Sequence, residues 1–186
     1  MKILLFLSAI LFCFLSLSCG ATFCNPEDGL PPKNYKAELT CFFPIRIGKR
    51  YYGGVKAILE KVEGMPSYIN TKGDWVNRYG LFPYNFTSKL IVNKELDYVV
   101  LVEGPRDPLR LLALGIPALA VLGVNNITDR KIDLIINLGV THIYVMSDND
   151  KGGKLMRKNV KKAVGKKAIV KSIRLPEEYD KKGKLI

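Results

Sequence analysis

Five carboxylates could carry chemistry in this sequence: Glu103, Asp107, Asp148, Asp150 and Asp180. Glu103 closes one apolar run as Glu-Gly, Asp148 and Asp150 close another as Asp-x-Asp, and Asp180 follows a fourth. Asp107 lies four residues beyond Glu103, one turn into the helix expected there. Carboxylates gathered at one sheet edge repel one another unless a cation sits between them. Hard oxygen ligands in that arrangement suit Mg²⁺, which takes one or two carboxylates and fills its shell with phosphate oxygens and waters. A metal held there can bind a nucleotide phosphate and stabilise the charge that develops in phosphoryl transfer. Glu103 is placed to bind that metal or to exchange a proton. Each acid taken alone is equally a solvated loop residue or a helix cap, Asp107 most of all; their positions relative to the surrounding elements give the set its weight.

Those elements alternate. Tyr98–Val102, Ala118–Leu122, Ile143–Met146 and Ala168–Ile173 are apolar runs of strand length. Between them Arg106–Leu114, Asp129–Leu138 and Lys154–Val164 have helical spacing and stop at Gly115, Gly139 and Gly165. Strands that are apolar throughout predict an α/β fold: a four-stranded, mainly parallel sheet with helices on both faces and right-handed crossovers. In such sheets function gathers where loops leave the carboxyl ends of strands, and the acids lie at those ends. Upstream, Phe42–Ile47, a turn at Gly48–Arg50 and Tyr51–Val55 read as a hairpin. Tyr68 to Asn93 reads as loop plus a short helix near Phe86–Val92, and Asn25–Lys33 as a Pro/Gly linker. The expected organisation is a leader over 1–24, a small α+β subdomain over 25–94 and the parallel α/β domain over 95–186.

Composition narrows the partners. In 186 residues, 29 Lys and Arg stand against 17 Asp and Glu, a net charge of +12. So basic a chain suggests a polyanion, nucleic acid before an anionic membrane. His142 is the one histidine, which excludes mechanisms needing two and most histidine-ligated metal sites. The cysteines, at 13, 19, 24 and 41, form no C-x-x-C pair, so a zinc ribbon is weakly supported. From Lys151 to Lys171 there are nine cations and no acid. Lys154 belongs to this segment, and Arg157, Lys158, Lys161 and Lys162 share one helical side, which can follow a phosphate backbone. The plainer alternative is a solvated face.

The N-terminus conflicts with this reading. Lys2, an apolar run to Leu17 and the small residues Ser18, Gly20 and Ala21 have the pattern of a signal peptide or anchor, short of the roughly 20 apolar residues that a membrane span needs. A retained leader implies membrane association or export; the rest of the chain implies a cytoplasmic working site, in the host if the gene is phage-borne.

Val102-Glu-Gly-Pro-Arg-Asp107, Leu114-Gly-Ile-Pro-Ala118, Leu122-Gly123 and Asp148-Asn-Asp150-Lys-Gly-Gly153 together resemble the Toprim domain of bacterial-type primases, topoisomerases and certain nucleases. The resemblance runs from Val99 to about Leu185, and Arg174-Leu-Pro-Glu-Glu-Tyr-Asp180 looks most like the primase branch. Phe43-Pro-Ile-Arg46, Gly48, Gly53, Pro66–Thr71 and Gly80-Leu-Phe-Pro-Tyr-Asn85 are similar to the small subdomain that precedes Toprim in primases. The resemblance implies catalysis by Glu103, Asp148 and Asp150, with Mg²⁺ (or Mn²⁺ in its place) bound by Asp148 and Asp150, Glu103 as acid/base or metal-linked glutamate, and Asp107 and Asp180 in support. It implies that Lys72, Trp75 and Arg78 contact nucleic acid, where rings stack on bases and cations hold the backbone; for Trp75 the alternative is a place in the small subdomain's core. The partners it implies are a single-stranded DNA template and nucleoside triphosphates, with a replicative helicase and a zinc-binding module supplied in trans. The activity expected is primer synthesis in DNA replication. The alternatives are a Toprim nuclease using the same acids, or a non-catalytic nucleic-acid-binding protein derived from a primase.

Overall fold

A computed structural model describes residues 40–58 and 66–174. The chain divides into two compact units, one ending at Trp75 and the other starting at Val76.

The first unit is a three-stranded antiparallel sheet of β1 (Thr40–Ile47), β2 (Arg50–Ile58) and β3 (Tyr68–Asn70), in the order β1-β2-β3. Period-two alternation makes β1 amphipathic: Cys41, Phe43 and Ile45 are buried, and Phe42, Pro44 and Arg46 are exposed. The expected hairpin is present, with β2 running three residues past Val55. β3 lies where a loop was expected. Three residues carry no periodicity, and the strand exists because Val55, Lys56 and Ala57 offer it a pairing edge. Trp75 closes this unit's core. It is 4% exposed, its indole N–H donates to the Thr71 carbonyl at 3.1 Å, and a Cβ at Gly53 would overlap its ring.

The helix α1 (Trp75–Tyr79) leads into the second unit, followed by α2 (Tyr84–Asn93), β4 (Tyr98–Val102), α3 (Asp107–Ala113), β5 (Ala118–Ala120), α4 (Asp129–Ile136), β6 (His142–Met146), α5 (Lys151–Val164) and β7 (Ile169–Ile173). The sheet is parallel throughout, in the order β5-β4-β6-β7. Every residue of β4 after Tyr98 and all of β5 are buried, whereas β6 alternates between buried and half-buried and β7 is largely exposed. Full cover on both faces therefore holds at β4 and β5 and thins toward β7. Right-handed crossovers send α3 to one face and α4 and α5 to the other, and α4 and α5 do pack on each other. Leu101, Leu119, Ile132, Ile135, Ile143, Val145, Met156 and Val160 fill the layer between.

The division at 75/76 falls upstream of the 94/95 boundary that composition suggests. The α2 region is tied to the parallel sheet: Phe82 bridges Ala120 through both backbone bonds, Thr87 Oγ1 donates to the Ala118 carbonyl at 2.6 Å, and Ile91 lies in the core. Among the described residues no helix is long and apolar enough to cross a membrane; the leader over 1–24 lies outside them.

Candidate active site

β4 and β6 are neighbours, but their crossovers diverge: β4 leads through α3 to β5 on one side, and β6 leads through α5 to β7 on the other. Loops leaving two such strand ends part from each other and open a crevice at the carboxyl edge. Glu103 leaves β4 there, and Ser147-Asp148-Asn149-Asp150 leaves β6.

The acids feel one another. Glu103 is exposed, yet partial loss of hydration at the sheet edge raises its carboxyl above the usual pKa, and Asp148, Asp150 and Asp107 raise it further, in that order. Asp107, half-buried in the first turn of α3, is also raised, chiefly by burial. Arg110, Arg106 and the Gly104 amide pull it back down, while Asp148 adds to the rise. Four of the five acids singled out from sequence thus share one electrostatic neighbourhood. Asp180 lies outside the described residues.

Asp148 and Asp150 differ in their work. Asp150 is the N-cap of α5, and its Oδ1 accepts the Gly153 amide at 2.7 Å. That cap starts the helix at Lys151, three residues before the expected Lys154. A side chain at Gly153 would collide with the Asp148 carbonyl, so the turn closes only with glycine there. Arg157 holds the same turn from one helical turn further on, donating to Ser147 Oγ at 2.6 Å and to the Asp148 carbonyl at 3.3 Å. Arg157 was expected to face phosphate with Lys158; instead it is half-buried and braces the loop that carries the two aspartates. The exposed cations of α5 are Lys151, Lys154, Lys158, Lys161 and Lys162, on the face opposite Met156, Val160 and Val164.

For Trp75 the sequence leaves two roles open, a ring offered to nucleic acid or a place in the core. Its burial against Gly53 leaves it no open face, so it is a core residue. Lys72 and Arg78 are exposed. Among the described residues no three acidic, cysteine or histidine side chains converge into a ready-made metal cage. The donor set fits a hydrated divalent ion touched by one or two carboxylates better than a closed all-protein site.

Sequence reasoning missed Lys131. It is 1% exposed on the inner face of α4, and its Nζ donates to the Val121 carbonyl at 2.8 Å. Burial lowers its pKa to about 7. A lysine next to Ile132 and one turn before Ile135, on the apolar side of an amphipathic helix, was the signal available.

Residues 100–183 match the family described as Toprim-like. The structure is similar to the zinc-binding and RNA polymerase domains of the Aquifex aeolicus primase, with 27% identity and a TM-score of 0.61 over 75% of this chain and 34% of that one. It is also similar to a DNA primase domain from Pseudomonas aeruginosa, with 25% identity and a TM-score of 0.59 over 75% of this chain and 44% of that one. The chain therefore spans less than half of either. No curated protein matches the sequence significantly. Residues 100–183 are thus a Toprim domain of the primase type.

Proposed function

We propose that this chain joins nucleotides on a single-stranded DNA template, as the catalytic core of a primer-synthesising DNA primase in replication. The observation that carries the reading is the meeting of Glu103 with Asp148 and Asp150 where the β4 and β6 loops part. The similarity to primase domains supports a primase-related role in nucleic-acid processing. It covers 75% of the chain, a larger share than 100–183 alone, and so favours a primase over a bare Toprim nuclease with the same acids.

Asp148, with the oxygen of Asp150 not committed to the α5 cap, would hold Mg²⁺ or Mn²⁺, and Glu103 and Asp107 border it. The ion, when bound, neutralises charge on the phosphates of the incoming nucleotide. Glu103, with its raised proton affinity, is suited to take the proton from the attacking 3′-hydroxyl. That oxygen forms the new bond to the α-phosphorus, and pyrophosphate leaves. Arg157 keeps the Asp148 turn in place, the lysines of α5 hold phosphates of the strand, and Lys72 and Arg78, each on its own unit, are further phosphate contacts. A helicase and a zinc-binding module as partners complete the proposal, with work in the cytoplasm.

The purified protein, given single-stranded DNA, ribonucleotides and Mg²⁺ or Mn²⁺, is expected to make short RNA complementary to the template. Cleavage of the DNA without synthesis would favour the nuclease. Binding without either reaction would mark a non-catalytic nucleic-acid-binding protein.

A further inference from the structure

We propose that Lys131 is a positioning residue for Glu103, acting through a single shared peptide group. The inference rests on the catalytic reading above for its functional consequence, though not for its geometry. Lys131 Nζ donates to the Val121 carbonyl at 2.8 Å. The N–H on the other end of that same peptide belongs to Leu122, and it donates to the Glu103 carbonyl at 3.1 Å. Lysine ammonium, peptide and glutamate backbone therefore form one hydrogen-bonded chain across the carboxyl edge of β5 and β4, and successive bonds in such a chain polarise one another.

Two further observations give the chain a purpose. Leu122 has φ of +58°, the left-handed region that a branched side chain seldom occupies, and it lies beside the site. The Asn126 amide group, donating to the Leu122 carbonyl at 2.6 Å, grips this residue from its far side as Lys131 and Glu103 grip the peptide before it. Lys131 is also a costly way to fill space. It is 1% exposed, and among the described residues no carboxylate pairs with it. An apolar side chain of similar length would fill the volume without the loss of hydration. Room for the charged head is made by Gly80, where a Cβ would lie 3.1 Å from Nζ. A buried donor held at this cost, bonded to the peptide whose N–H holds the Glu103 carbonyl, is accounted for by what it positions.

The test uses the full chain with Lys131→Met, which keeps the length and loses the donor, and Lys131→Gln, which keeps an N–H. Amide exchange by NMR, Mn²⁺ affinity by EPR and steady-state primer synthesis are measured on each. In Lys131→Met the Leu122 amide is expected to exchange about tenfold faster, as for a weakened local hydrogen bond. Turnover should fall about tenfold with the KM for nucleotide little changed, as when a transition-state interaction is lost, and Lys131→Gln should recover part of both. Unaltered Leu122 exchange in folded Lys131→Met would overturn the proposal. So would a loss spread evenly over α4 and residues 76–81, which marks a merely structural latch. If Lys131→Met does not fold, the same readouts on Lys131→Gln decide: faster Leu122 exchange with lowered turnover in a stable protein supports positioning, and wild-type values, or faster exchange with normal turnover, overturn it. If the wild type makes no primer, the catalytic reading fails by itself. Leu122 exchange together with Mn²⁺ affinity, expected to weaken in Lys131→Met, then still decides the positioning role.

Discussion

The carboxylate of Asp150 accepts the Gly153 amide at 2.7 Å, so the cap that starts α5 and one half of the Asp-x-Asp pair are the same group. Asp148, two residues earlier, takes no part in that cap, and of the two it repels Glu103 the more. The two aspartates should therefore separate in stability even where they agree in activity. Asp150→Ala is expected to cost about 1 kcal/mol for the lost cap, a fall in Tm of about 2–4 °C. Asp148→Ala should leave Tm unchanged or slightly higher. Both should abolish primer synthesis, and Asp150→Asn, which caps without charge, should lose activity while keeping Tm. Equal melting of Asp148→Ala and Asp150→Ala would contradict this division of labour.

Glu103 sets a pH dependence. Its folded-state pKa is raised, so the folded chain binds its proton more tightly than the unfolded chain does. Stability then falls as pH rises from the ordinary glutamate value through the raised one, and the penalty is fully present above it. Glu103→Gln should raise Tm at pH 7 and lose that advantage below about pH 4. Thermal melts at the two pH values read the difference directly.

Lys131 has the opposite slope. Its pKa is lowered to about 7, so between that value and the ordinary lysine range the unfolded chain binds more protons and stability rises with pH. Below pH 7 the burial penalty is fully present. Lys131→Met should therefore be more stable than wild type at pH 6, by on the order of a few kcal/mol less the lost hydrogen bond. The gain should shrink as pH rises toward 10. Denaturant melts across that range measure it, and a gain independent of pH would contradict it.

Single-stranded DNA binding should separate Arg157 from its lysine neighbours. Replacing Lys154, Lys158, Lys161 and Lys162 with Ala should flatten the plot of log affinity against log salt by roughly two to three units, at about 0.7 per phosphate contact. Arg157→Ala should change that slope little and instead lower Tm and turnover, because its guanidinium holds Ser147 and the Asp148 carbonyl. A fall in slope for Arg157→Ala equal to that of a single lysine variant would return it to the phosphate track.

Trp75→Ala should cost about 3–5 kcal/mol, as for a large aromatic removed from a core. Any loss of DNA binding should accompany melting of the first unit, followed by tryptophan-independent circular dichroism. Intact folding with selective loss of binding would restore Trp75 as a stacking residue.

Much of this protein is determined by its sequence alone. The runs Tyr98–Val102 and Ala118–Ala120 are apolar at nearly every position because strands covered on both faces have no solvent side to mark. Acids placed where such runs end therefore announce a sheet edge with chemistry. The hairpin of β1 and β2 is equally legible, since its alternation and its turn at Gly48 are local. What only the tertiary structure decided is non-local. β3 and α1 are three and five residues long, below any period, and they exist through pairing with β2 and burial of Trp75. The order β5-β4-β6-β7 makes Glu103 and Asp148 neighbours although 45 residues separate them in the chain, and no local pattern records strand order. The inward turn of Lys131 and Arg157 was hidden for a related reason, and Trp75 was left open between core and nucleic acid. A side chain's type states how strongly it prefers water, and its partners across the fold decide whether that preference is overruled.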